Sequence, residues 1–187
     1  MATFTVPASG STAVAKNYPN TNFSDLTQYK LFVEPFTNHS GTFGGWDNIL
    51  LKFGEPAAAY KYKRITKVKL VLYAMPTKGI LGSWGAAYIS AYALGLKEPL
   101  DVSTATYATQ PQQLNDGSTS GSASWNELNK VVQAQVTFTM SQYNAAEKNG
   151  LEHGLRNGFL FAFITGGEGH ASEAIFYGAK SSYKPFL

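Results

Sequence analysis

The chain contains no cysteine, which excludes disulfide bridges and thiolate metal centres. Charge is also sparse. Asp, Glu, Lys and Arg make up 14% of the 187 residues, against about a quarter in an ordinary globular protein. The net charge of +3 is too mild for the dense basic field of a nucleic-acid binder, so no nucleic-acid partner is expected. No apolar run approaches the ~20 residues of a membrane-spanning helix, and no membrane insertion is expected. Met1 to Ser11 has neither a basic start nor an apolar stretch, so it does not read as a secretory signal. The Asn-X-Ser sequons at Asn22 and Asn38 then read as chance. Catalytic motifs are missing as well. There is no Gly-x-Ser-x-Gly elbow, no His-Glu-x-x-His and no phosphate loop, and His39, His153 and His170 stand far apart. The expectation is a binding protein and not an enzyme.

What is present is a succession of strands. Alternating or apolar runs occur at Lys30–Glu34, Ile49–Phe53, Lys67–Tyr73, Ala87–Leu94, Val136–Met140, Phe159–Ile164 and Ala174–Tyr177. Beta-branched and aromatic residues dominate them, and turn residues separate them. Phe159–Ile164 is continuously apolar, as a strand covered on both faces should be. Helix is scarce. Ser141 can cap a helix that ends at Gly150, and a second helical turn fits Trp125–Val132. The pattern predicts an all-β, antiparallel β-sandwich, jelly-roll-like, with one or two short helices. One domain covers 1–187. Residues 103–124, rich in Thr, Ser, Gln and Gly, read as a long surface loop within it.

Lys61, Lys63, Arg64, Lys67 and Lys69 form the basic cluster. A phosphate patch and a solvated, edge-guarding strand face both fit. The second is favoured, because Lys67 and Lys69 alternate with Val68 and Leu70.

The three tryptophans sit among glycine and serine: Gly44-Gly45-Trp46, Gly82-Ser83-Trp84-Gly85 and Gly121-Ser122-Ala123-Ser124-Trp125. Each is either a plug over the core or a flat platform for a ligand. Burying ~200 Å² of indole contributes up to ~5 kcal/mol, which argues for the plug. The neighbours supply what the platform needs. Asp47 and Asn48 follow Trp46, Ser83 and Gly85 flank Trp84, and Asn126 follows Trp125. An aromatic face beside such polar groups suits a sugar ring. The candidate ligand-binding residues are therefore Trp46, Asp47, Asn48, Trp84, Trp125 and Asn126. No cofactor is expected. Glu168 to Glu173, around His170, and more weakly the Asp47–Asn48 pair have donors that suit a divalent ion such as calcium, but the non-metal reading is favoured for both, the first being a polar hairpin loop.

The order of segments resembles DNRLRE-type domains, β-sandwiches related to carbohydrate-binding modules. Tyr18-Pro19-Asn20-Thr21-Asn22-Phe23 is similar to their opening Pro-Asn-Thr-Asn-Tyr-Gly signature. Ile65 to Tyr73 is similar to Ile-x-x-Ala-x-Leu-x-Leu-Tyr, and Ile89 to Tyr92 to Ile-x-Val-Tyr. Ala105 to Pro111 resembles Val-Thr-Trp-x-x-x-Pro, and Asn157-Gly158-Phe159-Leu160 resembles Asn-Gly-Leu-Leu. Phe176 and Pro185-Phe186-Leu187 fit the end. Ser24 stands where the family has Gly, Tyr107 where it has Trp, and Ala179-Lys180 where it has Arg-Glu. The resemblance implies a non-enzymatic adhesion or polysaccharide-binding module of secreted proteins or phage particles.

Two functions follow as expectations. One is a virion-associated or extracellular module that recognises a polysaccharide or cell-surface glycan. The other is a structural decoration subunit of a phage or phage-like particle without glycan binding, which contacts other virion subunits or itself. Either would be made in the cytoplasm and released without a signal peptide.

Overall fold

The chain's structure, a computed structural model, describes residues 3–33, 48–54, 65–78, 87–114, 119–125, 130–139, 145–165 and 172–187. Among these residues it has nine strands and one helix. The strands are β1 (Ala8–Val14), β2 (Gln28–Val33), β3 (Asn48–Phe53), β4 (Lys67–Lys78), β5 (Ala87–Gly95), β6 (Thr119–Trp125), β7 (Val132–Thr139), β8 (Phe159–Thr165) and β9 (Ser172–Tyr177), and the helix α1 is Ala145–Asn157.

The pairings run from the outside inward. β2 pairs with β9, β3 with β8, β4 with β7 and β5 with β6, all antiparallel. That is one long double-stranded ribbon. Pairing of β4 with β9 and of β5 with β8 rolls it into two sheets. The eight strands β2 to β9 thus make a jelly roll. β1 adds an extra strand beside β3. The sheets read β1-β3-β8-β5-β6 and β2-β9-β4-β7, so the expected all-β sandwich is what the chain forms.

The core lies between the sheets. Ile49, Leu51, Phe53, Phe159 and Phe161 of the five-stranded sheet meet Tyr29, Leu31, Leu70, Leu72, Val136 and Phe176 of the four-stranded one. The Phe161 and Phe176 rings approach edge to face at 5.2 Å, a favoured aromatic geometry. Phe159, Leu160 and Phe161 are all buried, so β8 is covered on both faces as its composition requires. The outer cover is the segment after β5. Leu96, Leu100 and Ala105 pack on Val14, Leu50, Leu94 and Leu160 from the far side of the five-stranded sheet.

Several expectations change here. The stretch 103–124 is not all loop. Ala105 belongs to this outer cover and Thr106 is buried. Residues 115–118 lie outside the described residues, and 119–124 lie in β6, which pairs with β5 over seven residues. A backbone ladder needs no large side chains, so Ser, Gly and Ala conceal the strand. β1 is concealed in the same way by Ala, Ser and Gly. Of the suggested turn over Trp125–Val132, residues 126–129 lie outside the described residues, while Trp125 ends β6 and Val132 opens β7. β4 pairs with β7 from Lys67 to Ala74 but with β9 only from Ala74 to Lys78. Lys67 and Lys69 are thus exposed on a strand face, in a stretch with no described strand on the side away from β7, while Lys61, Lys63 and Arg64 lie outside the described residues.

The helix also shifts, from the expected 141–150 to Ala145–Asn157. Gly150 does not end it. The helix lies so close to β5 that a Cβ on Gly95 would strike the Gly150 carbonyl and the Gly154 backbone, and a Cβ on Gly154 would strike the Phe159 ring. Gly154 is inside the helix for contact. The terminator is Gly158, at φ +115°, whose N–H donates to the Gly154 carbonyl at 2.9 Å.

The terminal segments close the structure. Val6 and Leu187 exchange backbone hydrogen bonds at 2.8 and 2.9 Å, and Phe186 exchanges them with Val71 of β4 at 2.8 and 3.0 Å.

Candidate functional site

The strand registers sort the connections into two ends. Val33 pairs with Ser172, and Lys78 with Glu173. The last residues of β2 and β4 therefore lie beside the start of β9. In the other sheet Ala87 pairs with Trp125, Ile89 with Thr165 and Ile49 with Phe161. The starts of β3 and β5 lie beside the ends of β6 and β8. The ends of β2, β4, β6 and β8 thus share one end of the sandwich with the starts of β3, β5, β7 and β9. Trp46 lies two residues before β3, Trp84 three before β5, and Trp125 closes β6.

This end is stepped. Asn48 is level with Tyr92 through β8, whereas Trp125 is level with Ala87. The step is five residues, or about 17 Å along the strands. Asn48 and Trp125 also stand three strands apart in the order β3-β8-β5-β6, about 14 Å sideways. They share an end but not one small pocket. Asn48 is half-buried and pairs with Val14. Trp46, Asp47, Trp84 and Asn126 lie outside the described residues, as does the Trp125 side chain.

The opposite end is tied down by two side-chain amides, of buried Asn157 and half-buried Asn22. Asn157 Nδ2 donates to the Leu96 and Lys97 carbonyls at 2.8 and 2.7 Å, and joins the helix end to the end of β5. Asn22 Nδ2 donates to the Val102 and Ala105 carbonyls at 2.9 and 2.7 Å, and its Oδ1 accepts from Ser24. That amide is a clamp between two loops, so the Asn22 sequon has a structural use. Asp101 Oδ1 accepts from the Ser103 hydroxyl at 2.6 Å and from its N–H at 3.0 Å. Those two bonds hold its carboxyl below the ordinary value.

A second surface was not foreseen. The outer face of the four-stranded sheet carries Tyr73, Tyr177 and, on the turn after β9, Tyr183. The Tyr183 ring lies 5.4 Å from Tyr73 and 5.0 Å from Tyr177, and Phe186 lies 6.3 Å from Tyr73. Polar groups continue from this cluster. Gln133 Nε2 donates to the Tyr73 hydroxyl at 3.3 Å, Gln135 Nε2 to Gln133 Oε1 at 3.2 Å, and Lys69 Nζ to Gln135 Oε1 at 3.4 Å. Alternation in β4 placed Tyr73 with Lys67 and Lys69, opposite Leu70 and Leu72. The joining of Tyr183 to it had no local signal, because a turn 110 residues later brings it there.

Among the described residues, no three His, Asp or Glu side chains form a metal-binding group. Residues 166–171 lie outside them, including Glu168 and His170, and so does Asp47. No described helix is long and apolar enough to cross a membrane. No protein-family model matches the chain, and no curated protein matches it.

Proposed function

We propose that this chain is a non-enzymatic adhesion module that holds a surface polysaccharide at the tryptophan-bearing end of its sandwich, outside the cell or on a virion. The observation that supports it is the gathering at one end of the strand ends that flank all three tryptophan segments. In sequence these segments are scattered over about 80 residues. Trp125 is the last residue of a strand rather than part of a loop, and chance would divide three such segments between the two ends in most arrangements. The stepped end fits an extended polymer better than a single sugar, since Asn48 and Trp125 are too far apart to grip one ring.

A rigid sheet scaffold that presents aromatic groups from several connections is a common plan for binding sites. The resemblance of Tyr18–Phe23 and Asn157–Leu160 to DNRLRE-type domains points the same way. The experiment is binding of the full chain to an array of bacterial, plant and animal polysaccharides, repeated with Trp46→Ala, Trp84→Ala and Trp125→Ala. Loss of binding of about tenfold or more in at least two variants is expected. Binding that none of the three changes removes stacking at this end. A chain that binds no glycan but forms a symmetric oligomer favours the particle-subunit function instead.

A further inference from the structure

We propose a second saccharide-binding surface, separate from the tryptophan end, on the outer face of the four-stranded sheet. Its parts are the Tyr183 ring and the polar row of Tyr73, Gln133, Gln135 and Lys69. The ligand is a pyranose chain whose ring stacks on Tyr183 while neighbouring hydroxyls bond the amide row. The proposal shares the glycan chemistry of the adhesion reading but uses different residues.

Three observations carry it. First, Tyr183 is 42% exposed although it already touches two other rings. It rests on Tyr177, which is buried, and on half-buried Tyr73. Part of a supported aromatic ring is thus left to solvent.

Second, the ring is held before any ligand arrives. The Tyr183 N–H donates to Ser181 Oγ at 3.1 Å, Ser181 Oγ donates to the Gly178 carbonyl at 2.9 Å, and the Ala179 N–H donates to the buried Ser11 Oγ at 2.8 Å. The turn is pinned to the core, so little ordering entropy remains to oppose binding.

Third, the row beside it is already aligned. Lys69, Gln135, Gln133 and Tyr73 form a hydrogen-bonded chain across two paired strands, with Lys69 level with Thr137 and Tyr73 with Gln133. An amide offers both a donor and an acceptor, which is what vicinal hydroxyls require. Lysine at one end supplies a further donor. The face is not simply an anion patch, because uncharged amides and phenols make up most of the row.

The test is the same polysaccharide array, with Tyr183→Ala, Tyr183→Phe, Gln135→Ala and Trp125→Ala. The expected result is at least one glycan that the wild-type chain retains in about 0.5 M sodium chloride, where exposed charge pairs are screened. Its affinity falls by about tenfold or more in Tyr183→Ala and falls in Gln135→Ala. It is kept in Tyr183→Phe, which preserves the ring, and in Trp125→Ala, which leaves this face intact. If Tyr183→Ala fails to fold, Gln135→Ala and the chemical shifts of the Gln133 and Gln135 side-chain amides on titration carry the test. Retention that is indifferent to Tyr183 and Gln135, or lost in salt, overturns the proposal. So does the absence of any retained glycan. Loss in Trp125→Ala alone places the ligand at the tryptophan end and refutes only this second surface.

Discussion

Ser11 of β1 and Tyr29 of β2 meet inside the sandwich, with Ser11 Oγ 3.0 Å from the Tyr29 hydroxyl. The two strands belong to different sheets, so this is a polar tie across the core. Tyr29 also donates to the Ser11 carbonyl at 3.0 Å, and Ser11 Oγ accepts the Ala179 N–H. The network joins both sheets to the turn that holds Tyr183. Ser11→Ala removes the acceptor of a buried N–H and is expected to cost about 1–3 kcal/mol in urea unfolding. A double-mutant cycle with Tyr29→Phe is expected to give a coupling of about 0.5–3 kcal/mol. Additive losses would show that the two groups act independently.

Burial raises the pKa of the Tyr29 phenol above its ordinary value, an effect only partly offset by Ser11. The unfolded chain releases this proton first as pH rises, near the ordinary tyrosine value of about 10. Stability from this group is therefore fully present below about pH 10 and is lost as pH rises through the folded value. In wild type, a tyrosine that ionises late in an alkaline absorbance titration is expected. Tyr29→Phe lacks that late component. An identical titration apart from total amplitude would contradict the assignment.

Gly154 has no room for a side chain, because a Cβ there would enter the Phe159 ring. Gly154→Ala raises helix propensity, yet it is expected to destabilise by about 1–3 kcal/mol or more through overpacking. Thermal unfolding measures this directly. A higher midpoint would mean that the helix can move away from β8.

Asn157 and Lys180 make a useful contrast. Asn157→Ala strands the Leu96 and Lys97 carbonyls and is expected to cost about 1–3 kcal/mol. Lys180 bonds Asp25 at 2.6 Å, but both side chains are open to solvent. That hydrogen bond and the neighbouring ammonium lower the Asp25 pKa. Such a pair contributes little to stability, so Lys180→Ala is expected to leave the urea midpoint unchanged. Equal losses in the two variants would contradict the distinction.

Much of the fold was legible wherever large apolar residues set the period. Phe159 to Phe161 announced a strand buried on both faces, and Val68, Leu70 and Leu72 gave the inner face of β4. β1 and β6 were not legible, because Ala8-Ser9-Gly10-Ser11 and Thr119-Ser120-Gly121-Ser122 pair through backbone and carry no apolar alternation. Gly150 misplaced the helix end, since a glycine inside a helix reads as a stop, and the packing of Gly154 against the Phe159 ring forms only in the folded chain. The site divides similarly. The tryptophans stood out locally, but the gathering at one end of the strand ends that flank their segments depends on the order in which the strands pair. The clamps at Asn22 and Asn157, and the meeting of Tyr73 with Tyr183, are long-range juxtapositions with no local signature.

Trp46, Trp84 and Trp125 are proposed to face a polysaccharide together. Acrylamide quenching of tryptophan emission tests it most directly, with the full chain measured alone and saturated with the best-retained glycan of the array. The expected result is accessible indole emission in the free chain, shielded on saturation, with the shielding reduced in each Trp→Ala variant. Equal quenching with and without the bound glycan would contradict it.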